Sequence, residues 1–205
     1  MNAIFRRFFL LSLALILLVP APAKAEDDIG EQIKLGLKLY EQGKINQAVS
    51  ELEFALAQLR QLKADRAGAF FPDPPKGWTA EKPSSEAVGP AIFGGLTTSS
   101  RIYRQNEGNG RAEIRIIFDS PLIQSLGVIF NTTLLSQGAL SGRLLKLNGH
   151  KARLEEIDNE NAELQMLVDG GILVQAEVSG VTQAADMIKT LAGKINFNGL
   201  KSLSR

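Results

Sequence analysis

Between residues 27 and 66, apolar side chains recur at three- and four-residue steps, the spacing of amphipathic helix. Ile29, Ile33, Gly36, Leu37 and Tyr40 form one stripe, and Gly43 marks a turn after it. Ala48, Leu52, Ala55, Leu56, Leu59 and Leu62 form a second stripe with charges opposite. Two helices joined by a short turn are expected. From Thr97 the period changes to two. Residues 99–104 and 112–118, the latter with Ile114 and Ile116 on one face, flank Asn106-Glu107-Gly108-Asn109-Gly110, a hairpin turn. Ser120-Pro121 supplies an N-cap and a first-turn proline for a helix running through Leu122, Leu126, Ile129, Phe130 and Leu134 to about Gln137. Four more strands are expected at 143–147, 151–157, 162–168 and 172–178, turning at Asn148-Gly149, at 158–161 and at Asp169-Gly170-Gly171. A last helix over 182–195 turns Ala185, Ile188, Leu191 and Ala192 inward, and Asn196-Phe197-Asn198-Gly199-Leu200 closes the chain.

The order ββ-α-ββββ-α predicts an α+β domain over 97–205, with an antiparallel sheet of about six strands and helices on one face. A helical hairpin over 26–67 precedes it. Between them, Phe70-Phe71-Pro72-Asp73-Pro74-Pro75-Lys76-Gly77-Trp78 reads as a stiff extended linker, because its prolines end the helix. Phe70, Phe71 and Trp78 are expected to anchor helix to sheet, with a ligand-stacking role for Trp78 the weaker reading. Residues 79–96 lack any period and hold two prolines and three glycines, so the 68–96 segment is read as linker and long loop.

Residues 1–25 form a separate pattern. Arg6 and Arg7 precede an apolar run over 8–19 broken only by Ser12; Pro20 and Pro22 end it, and Ala23-Lys24-Ala25 supplies a small-x-small cleavage site. The run falls short of the ~20 residues needed to span a bilayer. A cleaved export signal is expected, placing the protein in a periplasm, with secretion as the other destination. Arg6-Arg7-Phe8-Phe9-Leu10 also fits a twin-arginine signal, but the leucine-rich run and the lack of a cofactor motif favour the general secretory route.

Gly36, Leu39-Tyr40, Gly43, Ala48, Leu52 and Ala55-Leu56 fall where a tetratricopeptide repeat places its small and large packing residues. The hairpin resembles one such unit, which implies close helix approach; it departs where Arg60 stands near the family's usual proline. Such units stack in groups of about three or more to bury their faces. The hairpin is therefore read as docked on its own domain or as a module for a protein partner or self-association. The Leu147 to Ala152 hairpin and the I-N-F-x-x-L tail resemble the PsbP-like group of α+β folds, and the whole arrangement resembles a family of exported bacterial proteins to which no activity is attached.

Charge and composition narrow the functions. Removing Arg6, Arg7 and Lys24 from 23 basic residues leaves 20 against 22 acidic ones, a formal net charge of −2. That balance argues against nucleic acid as a partner. With no cysteine, thiol catalysis, cysteine zinc sites and iron–sulfur clusters are excluded. His150, the only histidine, lies in a turn with no base–nucleophile pair in view. Glu155, Glu156, Asp158, Glu160 and Glu163 form the densest acidic cluster; alternation along strands sends neighbours to opposite faces, so a solvated hairpin is expected rather than a calcium loop. The glycine-rich stretch at 89–100 lacks the lysine of a phosphate loop, and no G-x-S-x-G is present. No catalytic residue, cofactor or metal is expected. The reading is a non-enzymatic envelope interaction or assembly factor, with Tyr40, Phe70, Phe71 and Trp78 as interaction residues. The alternatives are a small-ligand or lipid-binding module with its pocket under the 79–96 loop, and a carboxylate-dependent hydrolase.

Overall fold

A computed structural model of the chain describes residues 23–88, 96–118, 120, 123 and 141–203. The expected export signal lies outside these, save for its last residues, which open the first helix.

Helices α1 (Ala23–Glu41) and α2 (Ile45–Ala67) form the antiparallel hairpin. Gly43 turns the chain at φ 74°, its N–H donating to the Tyr40 carbonyl at 2.9 Å while Lys44 N–H donates to Leu39 at 3.0 Å. That is a left-handed helix terminus, which glycine adopts without a Cβ penalty. The helices approach closely because their contact rows are small. Gly36, Ala48 and Ala55 are buried, and a Cβ on Gly36 would come within 2.7 Å of the Leu52 side chain. The Gln32 amide donates to the Glu51 carboxylate beside this contact.

The last turns of α2 carry Ala64 and Ala67, both fully buried against the sheet domain. A single 3-10 turn, Gly68–Phe70, then leads into the extended linker. The middle of the linker is held at one carbonyl. The Pro72 carbonyl accepts from the Tyr103 hydroxyl at 2.9 Å and from Arg101 Nη1 at 3.2 Å, and Arg101 Nε reaches on to the Glu81 carbonyl at 3.1 Å. Burial pushes the Tyr103 phenol well above its ordinary range, so it stays a proton donor at any physiological pH.

Eight antiparallel strands are described: β1 (Trp78–Ala80), β2 (Ser84–Val88), β3 (Leu96–Gln105), β4 (Arg111–Phe118), β5 (Arg143–Leu147), β6 (His150–Glu156), β7 (Ala162–Val168) and β8 (Ile172–Ser179). Their order is β1-β3-β4-β8-β7-β6-β5, with β2 also on β3. β1 and β2 are two pieces of one edge, pairing Ala80 with Tyr103 and Ser84 with Ser100. The core lies on one face, where Ile114, Ile116, Leu154, Leu164, Met166, Ile172, Val174 and Val178 alternate inward. Helices α3 (Ala184–Ala192) and α4 (Phe197–Ser202) close that face with Ile188, Leu191, Phe197 and Leu200. A smaller cluster on the other face holds Ile117, Ile123 and Leu173.

The α+β class, the antiparallel sheet, and the Asn148-Gly149 turn, with φ of 50° and 83°, agree with the sequence. The strand count does not: eight strands replace six. The two additional strands fall in the segment read as loop, because Ser84-Ser85-Glu86 show no apolar alternation and pair mainly through backbone, with the Ser85 and Ser99 hydroxyls 3.4 Å apart across the pair. The tail expected to close the chain after 195 folds as α4, with the Asn196 side-chain oxygen Oδ1 accepting from Gly199 N–H at 3.0 Å to cap it. Of the helix expected over 120–137, only Ser120 and Ile123 are among the described residues.

Replacing Tyr103 by Phe removes the donor to Pro72 and keeps the ring. The expected cost is about 1 kcal/mol, read as a lowered urea midpoint at unchanged m-value.

Candidate interaction surface

Numbering outward from the small contact row shows what the hairpin leaves open. On α2, Ile45, Val49, Leu52, Leu56 and Leu59 follow one another at steps of four and three, an unbroken heptad seam. On α1, Ile33, Leu37 and Tyr40 do the same. Two such seams usually pack against each other. Here the helices meet instead through Gly36, Ala48 and Ala55, and at ~100° per residue both seams lie roughly 20–100° to the same rotational side of that contact. Because the helices are antiparallel, that sense puts both seams on one face of the hairpin. All eight side chains are between 40 and 62 % exposed. One heptad step beyond Leu59, Lys63 lies over the Phe118 ring at 4.9 Å, so the sheet takes over the face where the seam ends.

The four residues proposed from sequence divide. Tyr40 stands on this face and is its most exposed member. Phe71 is buried in the main core, Phe70 packs its ring on Gly199 of α4, and Trp78 lies half-buried on edge strand β1 against the core. Asn196 N–H donates to the Phe70 carbonyl at 3.1 Å, so these three aromatics sit at the joint between hairpin, sheet and C-terminal helices. The seam itself was visible in sequence as an apolar stripe; that it stays uncovered was not.

On the sheet face opposite the core, register creates a feature hidden in the sequence. Glu113 pairs with Glu177, Glu177 with Glu163, and Glu163 with Glu155, so four glutamates cross adjacent strands in one row. Arg111 and Arg115 each hold Glu113 at 2.6 Å, and Arg153 holds Glu155 at 2.5 Å. Glu113, Glu163 and Glu177 line an open depression of about 210 Å³ with Arg115, Gln165 and Gln175, and no aromatic side chain lines it. Two other members of the acidic cluster are engaged elsewhere. Glu156 pairs with Arg143 at 2.7 Å, and Asp158 accepts from Glu160 N–H and the Asn161 amide at the hairpin tip. Hydrogen bonds from Asn161 first, and from that N–H, hold the Asp158 carboxyl below its ordinary range. Among the described residues no three His, Asp or Glu side chains converge to hold a metal ion.

His150 packs its ring on Phe197 at a centroid distance of 5.0 Å. Burial, and then the Lys201 ammonium, lower its pKa, with Asp169 opposing. Under the β1–β2 edge, where the pocket of a ligand module would lie, the described space is taken by Ala64, Ala67 and Gly68, the last with its Cβ position 3.1 Å from Pro83. No described helix is long and apolar enough to cross a membrane. Comparison with protein-family models, curated proteins and solved structures returns no match to this chain.

Two outcomes follow from these charges. The folded state disfavours His150 protonation, so its contribution is complete above the unfolded pKa of about 6.5 and is lost as pH falls through that value toward the lower folded one. His150→Gln is expected to lose less melting temperature between pH 7 and pH 5 than the parent. Glu177→Gln removes one of the two charges flanked on both sides by like charges, and is expected to stabilise by about 0.5 kcal/mol at low ionic strength. Thermal unfolding repeated in ~1 M salt, where the Debye length is about 3 Å, should show most of that gain gone.

Proposed function

We propose that this protein is a non-enzymatic factor of the bacterial envelope, exported to the periplasm by a cleaved signal over residues 1–25, and that its hairpin binds another protein chain. One observation carries the reading: eight heptad-spaced apolar side chains share an open face. Monomeric proteins seldom leave contiguous apolar patches beyond a few hundred Å² exposed unless another molecule covers them. The resemblance to a single tetratricopeptide unit supports the same conclusion, since one unit has no neighbour of its own kind to stack on. Export is supported by Arg6-Arg7, the apolar run over 8–19 and Ala23-Lys24-Ala25. Absence of enzymatic function is supported by the fate of the polar groups: His150 is stacked on Phe197, and Glu113, Glu155 and Glu156 are each engaged by arginine. The ligand-binding alternative is weakened by the side chains filling the space under β1 and β2. Hydrolysis lacks sugar-stacking aromatics around the glutamate row.

A photo-crosslinking residue placed at Val49 tests the reading in intact cells, with Phe54, on the opposite side of α2, as control. An adduct from position 49 and none from position 54 is expected. Equal labelling from both, or none from either, overturns the proposal.

A further inference from the structure

The open face has the composition and spacing of half a four-helix bundle. Residues at a and d positions line it on both helices, while the small row Gly36, Ala48 and Ala55 has already been used to join them. What completes a bundle is a second pair of helices with the same spacing. This chain provides such a pair. Resting on the interaction reading above, we infer that the partner is a second copy of this chain, docked hairpin to hairpin about a twofold axis parallel to the helices.

Area agrees with that occupant. At roughly 90 Å² exposed per residue, the eight seam side chains present about 700 Å² per copy before flanking polar groups are added, close to the ~800 Å² per partner of a standard interface.

Charge selects the arrangement. The position following each d residue lies on the outer flank of its helix: Lys34 and Glu41 on α1, Asn46, Glu53 and Arg60 on α2. Within one hairpin, the Gly36 contact with Leu52 and the Gln32 bond to Glu51 put Lys34 and Glu53 at about the same height, on opposite outer flanks. A twofold axis parallel to the helices keeps heights and lays α1 against the α2 of the other copy, antiparallel. Lys34 then meets Glu53 of the partner subunit, twice per dimer, and Glu41 meets the uncharged Asn46 of the partner subunit. The other twofold, perpendicular to the helices, would set α2 on α2. Full overlap of the stripe is then centred on Leu52 and brings Glu53 against Glu53 of the partner subunit, a repulsive contact.

Sedimentation equilibrium on the full chain reads the association. Twice the chain mass is expected, with Leu52→Glu/Leu56→Glu reduced to single mass and Leu35→Glu/Phe54→Glu, on the far side of the hairpin, still dimeric. Far-ultraviolet circular dichroism checks that each variant keeps its helix. Lys34→Glu is expected to weaken association about tenfold, since two attractions become repulsions, and Lys34→Glu/Glu53→Lys to restore it. A parent that stays at single mass at about 100 µM overturns the inference. So does a double mass indifferent to Leu52→Glu/Leu56→Glu, which would place association elsewhere, or a charge exchange that restores nothing. If the parent is single but the Val49 crosslink still traps a different protein, the second copy is refuted while the interaction reading stands. If both fail, both fall.

Discussion

The Pro72 carbonyl is the point on which the relation of hairpin to sheet depends. It has no strand to pair with and no helix to close, yet it is held by the Tyr103 hydroxyl and the Arg101 guanidinium at the end of a strand that forms part of the core. A buried carbonyl without a donor would cost several times what the bond contributes, so the linker has one comfortable path across β3. That path sets where α2 leaves the sheet. Ala64 and Ala67 can then be small, because the backbone of α2 comes close enough to bury them, and the helix continues past the sheet edge with its seam uncovered.

A local contrast of sizes governs the hairpin in the same way. Glycine and alanine at the joint bring the helices close, and the large residues are displaced to the side. Had Gly36 and Ala55 been leucines, the seams would have turned toward each other and the face would have closed. The open face is therefore built into the choice of small residues, whatever covers it.

Much of this was legible in sequence where a side-chain period exists. Both hairpin helices, the strands from 97 onward and the Asn148-Gly149 turn follow from apolar spacing and from residues that accept positive φ. Edge strands β1 and β2 were not legible, since Ser84, Ser85 and Glu86 join the sheet through backbone bonds that leave no trace in side-chain character. Nor was the glutamate row. Glu113, Glu155, Glu163 and Glu177 are up to 64 positions apart, and only the pairing register aligns them. For the open apolar face, the stripe containing Tyr40 was readable; its exposure depended on which row of α1 met α2, which spacing alone leaves undecided.

The position of β8 has a consequence for how the chain acquires its shape. Among the described residues, the last strand lies in the middle of the sheet, between β4 and β7, and is the only bridge between the two halves. Without β8, β1 to β4 and β5 to β7 share no strand pairing, and each group has an unpaired inner border. A chain that emerges amino end first cannot close its sheet until nearly all of it has arrived. Consolidation is thereby deferred until nearly the whole sheet is present, and both borders need protection during that interval.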